Sequence, residues 1–401
     1  MVQKYLMLLA LLALIAVLAV AQDDEKPTIG ILSFGYHSNI NLSVKGTLDM
    51  LQTYGYINEE ERAALDQRQD LEGEGINIFW GDAAYDIGFA SLMVRDALDK
   101  EPDALITITT PVTQIAANAT LDMEDPPLVI FNVVSNPYAA GIADAPCLKP
   151  PHISGSQFLA PYDRIVPLML LQYPDMQVVG TIFTTNEASG VFGARQITAV
   201  GESLGLQVEN ASIVSAADLT LAAEGLVSKG IEAFILPTEA TVAAGLPTII
   251  QVANEHGLPV LYTAGNAVYR GATIGAGVYS YFKEGVNAAR MLIAHWAGDI
   301  DIATAGINLQ NDLSVGLNLD AAAAQDIEFS QELLAAADFL LEDGQSTEGV
   351  TPGLPEVNPY LEDLSLDERR AADLAFLAEL YCSDEVIAKQ QAELQDTSAE
   401  D

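Results

Sequence analysis

The residues best suited to chemistry in this 401-residue chain are small hydroxyls, amides and acids that recur wherever an apolar run ends. Ser33, Tyr36 and His37 follow the first run, and Asp82 the second. Thr109 and Thr110 follow the third, with Gln114 one helical turn on, and Ser135 and Asn136 follow the fourth. Then come Thr184, Thr185, Asn186 and Glu187, next Thr238 and Glu239, and last Thr263, Gly265 and Asn266. Such side chains cap helix N-termini, and with the free N–H groups there they can hold a carboxylate. Capping explains any single Thr or Asn. It does not require Tyr, His, Gln and Glu beside the cap, so the set as a whole points to a polar binding site.

The elements that must position these residues alternate regularly. Strands are expected at Thr28–Phe34, Ile76–Trp80, Ala104–Thr109 and Leu128–Val134, with helices at Asn39–Tyr54 and Tyr85–Lys100 and another from Pro111. Pro111 suits a first helical turn, where its missing N–H costs nothing. Residues 58–75 read as a polar connection. After Asn136-Pro137 the same grammar restarts, with strands at Val178–Phe183, Gln207–Ile213, Ala233–Leu236, Val260–Thr263, Ala272–Gly277 and Leu313–Leu319. Helices are expected between them at Tyr162–Tyr173, Ala188–Leu204, Ala217–Lys229, Thr241–His256 and Tyr281–Ala297. Alternating strands and helices of this length predict parallel sheets covered on both faces, here in two lobes. Ligands in such sheets bind beyond the carboxyl ends of the strands, where the polar loops lie.

Composition excludes several functions. The net charge is -39, from 17 basic and 56 acidic residues. Such a surface repels phosphate backbones, so no nucleic acid is expected as a partner. Four scattered His and two Cys have no metal-ligand spacing, and no metal or cofactor is expected. Lys4, an apolar run from Leu6 to Val20 and Ala19-Val20-Ala21 match a secretory signal peptide over residues 1–21. The chain is therefore expected to be exported, to the periplasm or the cell exterior. The alternative is an uncleaved anchor. Export would permit a disulfide between Cys147 and Cys382, and two free thiols are equally compatible with the sequence. From Phe329 the chain turns acidic and helical, broken by residues 344–359, and reads as an extension over 329–401 that packs on a lobe or stays partly mobile. An enzyme using His37, Glu187 and Glu239 as acid and base is a rival reading. No G-x-S-x-G, H-E-x-x-H or phosphate-cradling loop accompanies those residues, and Gly275-Ala276-Gly277 lacks a third glycine.

Seven stretches resemble one family in order and spacing: TITTPVTQIA (107–116), FNVVSNPYAAGI (131–142), ISGSQF (153–158), TTNEASG (184–190), LPTEATV (236–242), VANEHGLPVL (252–261) and AVYRGATIGAGVYSYFKEG (267–285). They are similar to the ABC-transporter substrate-binding proteins of the tryptophan- or tyrosine-uptake type. That resemblance implies the type I periplasmic-binding-protein architecture, two Rossmann-like lobes joined by a multi-strand hinge. It places lobe one at 27–136 and 264–297 and lobe two at 137–263 and 298–328. It implies a monomer that captures a small solute by hinge closure and is recognised by a membrane permease. A sensory subunit of a signalling system would use the same fold. The resemblance directs an amino-acid carboxylate to Thr109, Thr110 and Asn186, and an aromatic side chain to an apolar part of the cleft. Tyr36, Trp80, Tyr262, Tyr279 and Tyr281 are candidate walls, of which two or three are expected to face the ligand. The family usually has Asp at the position of Asn136. With Asn there, the charge for an ammonium must come from Asp82, Glu187 or Glu239, or the ligand has no ammonium.

Overall fold

The structure, a computed structural model, describes residues 26–347 and 364–398. The signal segment 1–21 and most of the break at 344–359 lie outside the described residues. The chain begins with β1 (Thr28–Ser33), α1 (Ser38–Thr53), α2 (Glu59–Leu65), β2 (Leu71–Glu72), β3 (Asn77–Asp82) and α3 (Ile87–Leu98). It continues through β4 (Ala104–Ile108), α4 (Thr110–Thr120), β5 (Leu128–Val134) and β6 (Ile153–Phe158). The polar connection 58–75 is thus partly ordered, because Asn58 and Glu61 form a capping box that starts α2.

A second unit follows: α5 (Tyr162–Ile165), α6 (Leu168–Gln172), β7 (Val178–Thr184), α7 (Ala188–Ser203), β8 (Gln207–Ile213) and α8 (Leu219–Ser228). It continues with β9 (Ala233–Leu236), α9 (Ala240–His256), β10 (Val260–Tyr262) and β11 (Ile274–Gly277). The single helix expected at Tyr162–Tyr173 is broken at Val166-Pro167, since Pro167 has no N–H to continue the ladder. The chain then returns to the first unit with α10 (Tyr281–Trp296) and β12 (Asn308–Gln310), and crosses again to β13 (Ser314–Asn318), α11 (Leu319–Ala324), α12 (Gln331–Ala336), β14 (Phe339–Glu342) and β15 (Gln345–Ser346). Helices α13 (Leu366–Ala378) and α14 (Asp384–Ser398) end it.

The first sheet runs β12-β6-β5-β4-β1-β3-β2 and the second β15-β14-β13-β11-β10-β9-β7-β8, mostly parallel in both. This membership corrects the expected lobe limits. β6 belongs to the first sheet, so the chain leaves lobe one after Phe158 rather than after Asn136. β11 belongs to the second sheet, so the return falls at 278–280 rather than at 264. β12 pairs with β6, which puts the last crossing at 311–313 rather than 298. β6 and β12 escaped the sequence reading because their buried residues are largely polar. Ser154 donates to Ala305 O, Gln157 to Ser135 O, and Asn308 to Ser156 Oγ.

The extension is also divided. β14 and β15 complete the second sheet, so residues 339–346 are not helical. Helix α13 instead lies against α10 of the first unit, where Arg290 and Asp373 form a buried ion pair at 2.7 Å. The Tyr54 hydroxyl donates to the same carboxylate, and the Arg290 guanidinium stands 4.4 Å from the centre of the Phe376 ring. Cys147 and Cys382 are joined in a disulfide that ties the end of α13 to the loop after β5.

Helices α1 and α10 cross in close contact. A Cβ on Gly285 would lie 1.8 Å from Ser43 O, and one on Gly46 2.1 Å from Phe282 O. Only glycine lets the two backbones meet there. That contact fixes the start of α10 beside the start of α1, and both helix starts reach the site.

Candidate functional site

The strand ends of the two sheets face one another across a narrow interface. Ser135 Oγ donates to Thr238 O at 3.3 Å, and the amides of Asn39 and Asn266 exchange two hydrogen bonds at 3.1 Å. Each contact joins the first unit to the second, the latter contact running from the start of α1 to the 3-10 segment Gly265–Arg270. Between them lies a cavity of about 20 Å³. Of the residues expected at the site, His37, Thr109, Thr110, Ser135, Glu187, Thr238 and Glu239 line it. Ile40, Val133, Ser189, Ala240 and Ala243, which the sequence does not single out, also line it, and Tyr281 does so as only one of five candidate aromatics.

On the lobe-one side the wall is rich in unmet hydrogen-bonding capacity. His37 Nδ1, Thr109 Oγ1 and Thr110 Oγ1 are buried and have no partner. Burial, with the charge of Arg270 adding to it, drives the His37 pKa down to about 3, so its imidazole is neutral. The backbone is strained here as well. Thr109 has φ 80° and Val133 φ 54°, values that β-branched residues rarely adopt. Val133 is held by its N–H, which donates to Glu284 Oε2 at 3.0 Å. Glu284 Oε1 accepts from Ser156 at 2.7 Å, and burial raises its carboxyl to about 7. Thr110 opens α4, whose first N–H groups have no intrahelical acceptor.

On the lobe-two side two buried carboxylates are arranged reciprocally. Glu187 precedes α7, and its oxygens accept from Ala240 N and Thr241 N, both at 3.0 Å, at the start of α9. Glu239 precedes α9, and its carboxylate accepts from Thr184 N at 3.0 Å and Thr184 Oγ1 at 2.6 Å, at the end of β7. Gly190 allows this approach, because a Cβ there would lie 1.6 Å from Glu239 Oε2. Burial raises both carboxyls, and for Glu239 the neighbouring Glu187 charge raises it further. The pair therefore favours holding a proton, or a cation in its place.

The remaining expected residues do not meet at the cavity. Ser33 is buried and its hydroxyl donates to Gly35 O. Tyr36 carries the Arg68 guanidinium 3.3 Å from its ring centre. Asp82 is exposed and accepts from Ala84 N, so it offers no buried charge. Gln114 braces Ala140 O at 2.8 Å. Asn136 accepts from Tyr138 N and Ala139 N and so closes its own turn. Thr185 and Asn186 are exposed, while Gly265 is buried and donates to Val278 O. Asn266 spans the lobes but does not line the cavity. Of the five aromatic candidates only Tyr281 does so. Tyr262 is fully buried, Trp80 donates to Gln69 O, and Tyr279 packs on Phe339.

Two lobes of mostly parallel sheet, joined by repeated crossings and meeting at polar strand ends, define the type I periplasmic-binding-protein class. A sequence model of ABC transporter substrate binding proteins matches residues 28–340, and the chain belongs to that family. The family is one of binding proteins rather than catalysts. The chain is 23% identical over 314 residues to a tyrosine-binding protein of Clostridioides difficile, spanning 76% of this chain and 85% of that one. It shares the fold of an ABC domain from Streptococcus pneumonia solved in complex with L-Trp, with a TM-score of 0.70 and 20% identity over 79% of this chain and all of that one. A conserved domain protein of Vibrio cholerae is similar at a TM-score of 0.69 and 21% identity, over the same shares. Among the described residues no helix is long and apolar enough to cross a membrane.

Proposed function

We propose that the protein is the extracytoplasmic solute-binding component of an ABC importer and that it captures an amino acid between its lobes. The observation that carries this reading is the pairing of opposite demands across one cavity. Buried donors without acceptors stand on one wall, and a buried double carboxylate stands on the other. An amino acid answers both: its carboxylate accepts from Thr109 and Thr110, and its ammonium supplies the positive charge that burial of Glu187 and Glu239 calls for. This places the ammonium charge on the glutamates rather than on Asp82 or Asn136.

The cavity of about 20 Å³ has room for little more than one water. Small-molecule pockets typically measure ~300 Å³ or more. Uptake therefore requires the lobes to part about the crossings at 159–161, 278–280 and 311–313 and to close again on the solute. A solute touching both walls favours the closed state by its differential affinity, and a permease then recognises the closed form. The tyrosine- and tryptophan-binding relatives favour an aromatic side chain, which would lie against Ile40, Val133 and Tyr281.

Thermal melting with each common L-amino acid tests this. Mass action predicts that a ligand present at about 100 times its Kd stabilises by ~2.7 kcal/mol. An upward shift with one or a few amino acids is expected. Shifts only with sugars, polyamines or other solutes lacking an amino-acid backbone would overturn the assignment.

A further inference from the structure

Arg270 lies within the family-like stretch 267–285. It ends the 3-10 segment Gly265–Arg270 on the lobe-two side, one turn beyond the Asn266 that reaches across to Asn39. Its guanidinium donates to the backbone oxygen of Ala243, a residue of the cavity wall. Its charge acts on His37, Tyr85 and Tyr281, of which His37 and Tyr281 also line the cavity. Arg62, Arg290 and Arg370 each pair with an aspartate. Arg270, like Arg68 and Arg164, forms no ion pair with a described carboxylate. A half-buried guanidinium with a backbone carbonyl as its bonded partner retains several donors in a fixed fork that suits a carboxylate.

Position along α9 adds to this. Ala243 lies four residues beyond Glu239, which is about 6 Å along a helix. A cation is thus bonded to the lobe-two wall roughly one turn beyond its double carboxylate, although Arg270 itself does not line the cavity. That order of charges complements a zwitterion.

We propose that Arg270 binds the carboxylate of the captured amino acid and is the lobe-two group that clasps it on closure. The proposal rests on the amino-acid reading above. Thr109 and Thr110 receive the carboxylate on lobe one, and Arg270 turns from Ala243 O to reach it when the lobes close on the solute instead of on each other. The same solute atoms are then held from both sides, which ties closure to the presence of a carboxylate. A decarboxylated amine or an α-amide would fill the cleft and leave the guanidinium unanswered.

The test is calorimetric titration of the wild type, Arg270→Gln and Arg270→Lys. The titrants are the amino acid with the largest melting shift, its α-amide and its decarboxylated amine. The wild type is expected to prefer the amino acid to its amide by at least about 30-fold. Arg270→Gln should reduce that ratio to within about threefold while leaving amide affinity unchanged, and Arg270→Lys should restore part of it. Equal weakening of amino acid and amide by Arg270→Gln would assign the residue to structure and overturn the proposal. An unchanged ratio would overturn it equally. If the wild type binds only solutes without a carboxylate, the amino-acid reading and this proposal both fail. If the wild type keeps its preference and the ratio ignores Arg270, only this proposal fails.

Discussion

Replacing both Glu187 and Glu239 by glutamine is expected to weaken amino-acid capture about a thousandfold, or ~4 kcal/mol, within the range for uncovering one partner of a buried charge pair. Either substitution alone should cost only about tenfold. The remaining carboxylate stays within reach of the ammonium, and it ionises more readily without its neighbour. The two effects are therefore more than additive, as expected for neighbouring charges that answer the same ammonium. Folding should survive. Gln at 239 can still accept from Thr184 through its amide oxygen, and Gln at 187 keeps one of its two bonds to the start of α9. Competition titrations on the two single variants and the double variant check the pattern, and loss of affinity with equal loss of melting temperature would point to misfolding instead.

The same pair sets a pH dependence. Burial raises both carboxyls in the closed, unliganded protein. That state is therefore favoured fully below the ordinary glutamate range and loses this contribution as pH rises through the raised values. An ammonium stabilises the ionised pair, so binding releases a proton and affinity climbs as pH rises from the carboxylate range. Titrations in buffers of different ionisation heat measure the protons exchanged. Uptake on binding would contradict the assignment of Glu187 and Glu239 as the ammonium site.

Reduction of Cys147–Cys382 is expected to lower unfolding free energy substantially without changing affinity for the solute. The bridge closes a loop of 235 residues, and chain entropy gives on the order of 5 kcal/mol for a loop of that size. The loss should concentrate in the C-terminal helices. Arg290–Asp373 and the Tyr54 hydroxyl still hold α13, while α14 touches lobe one through the Cys147 N–H donated to Gln390. Urea unfolding and limited proteolysis of reduced protein, or of Cys147→Ser with Cys382→Ser, check this. An unchanged midpoint with C-terminal helices still protected would show that the bridge adds nothing to the docking.

The alternation of strands and helices was legible because the ladders are built from continuous apolar runs such as Ala104–Ile108, ended by Thr109, Thr110 and Pro111. The cavity-lining hydroxyls and glutamates were legible for the same reason, as first residues after such runs. β6 and β12 were hidden because their burial is satisfied by hydrogen bonds rather than by apolar side chains. The lobe limits slipped with them. Asn136 and Asn186 are of the same polar kind as the cavity-lining groups, but the oxygen of the first closes its own turn and the side chain of the second faces solvent. Local sequence does not encode that difference. Ser189 lies just past a strand-end loop, inside the first turn of α7, where attention to the cap alone misses it. The disulfide and the bond from Arg270 to Ala243 depend on long-range juxtaposition, which local sequence does not encode.

The most direct measurement is a crystal structure of the protein with the amino acid that gives the largest melting shift. It should show that solute enclosed between the lobes, with its ammonium at Glu187 and Glu239 and its carboxylate at Thr109, Thr110 and Arg270. A solute bound outside the interlobe cavity, or turned with its carboxylate against the two glutamates, would contradict the account.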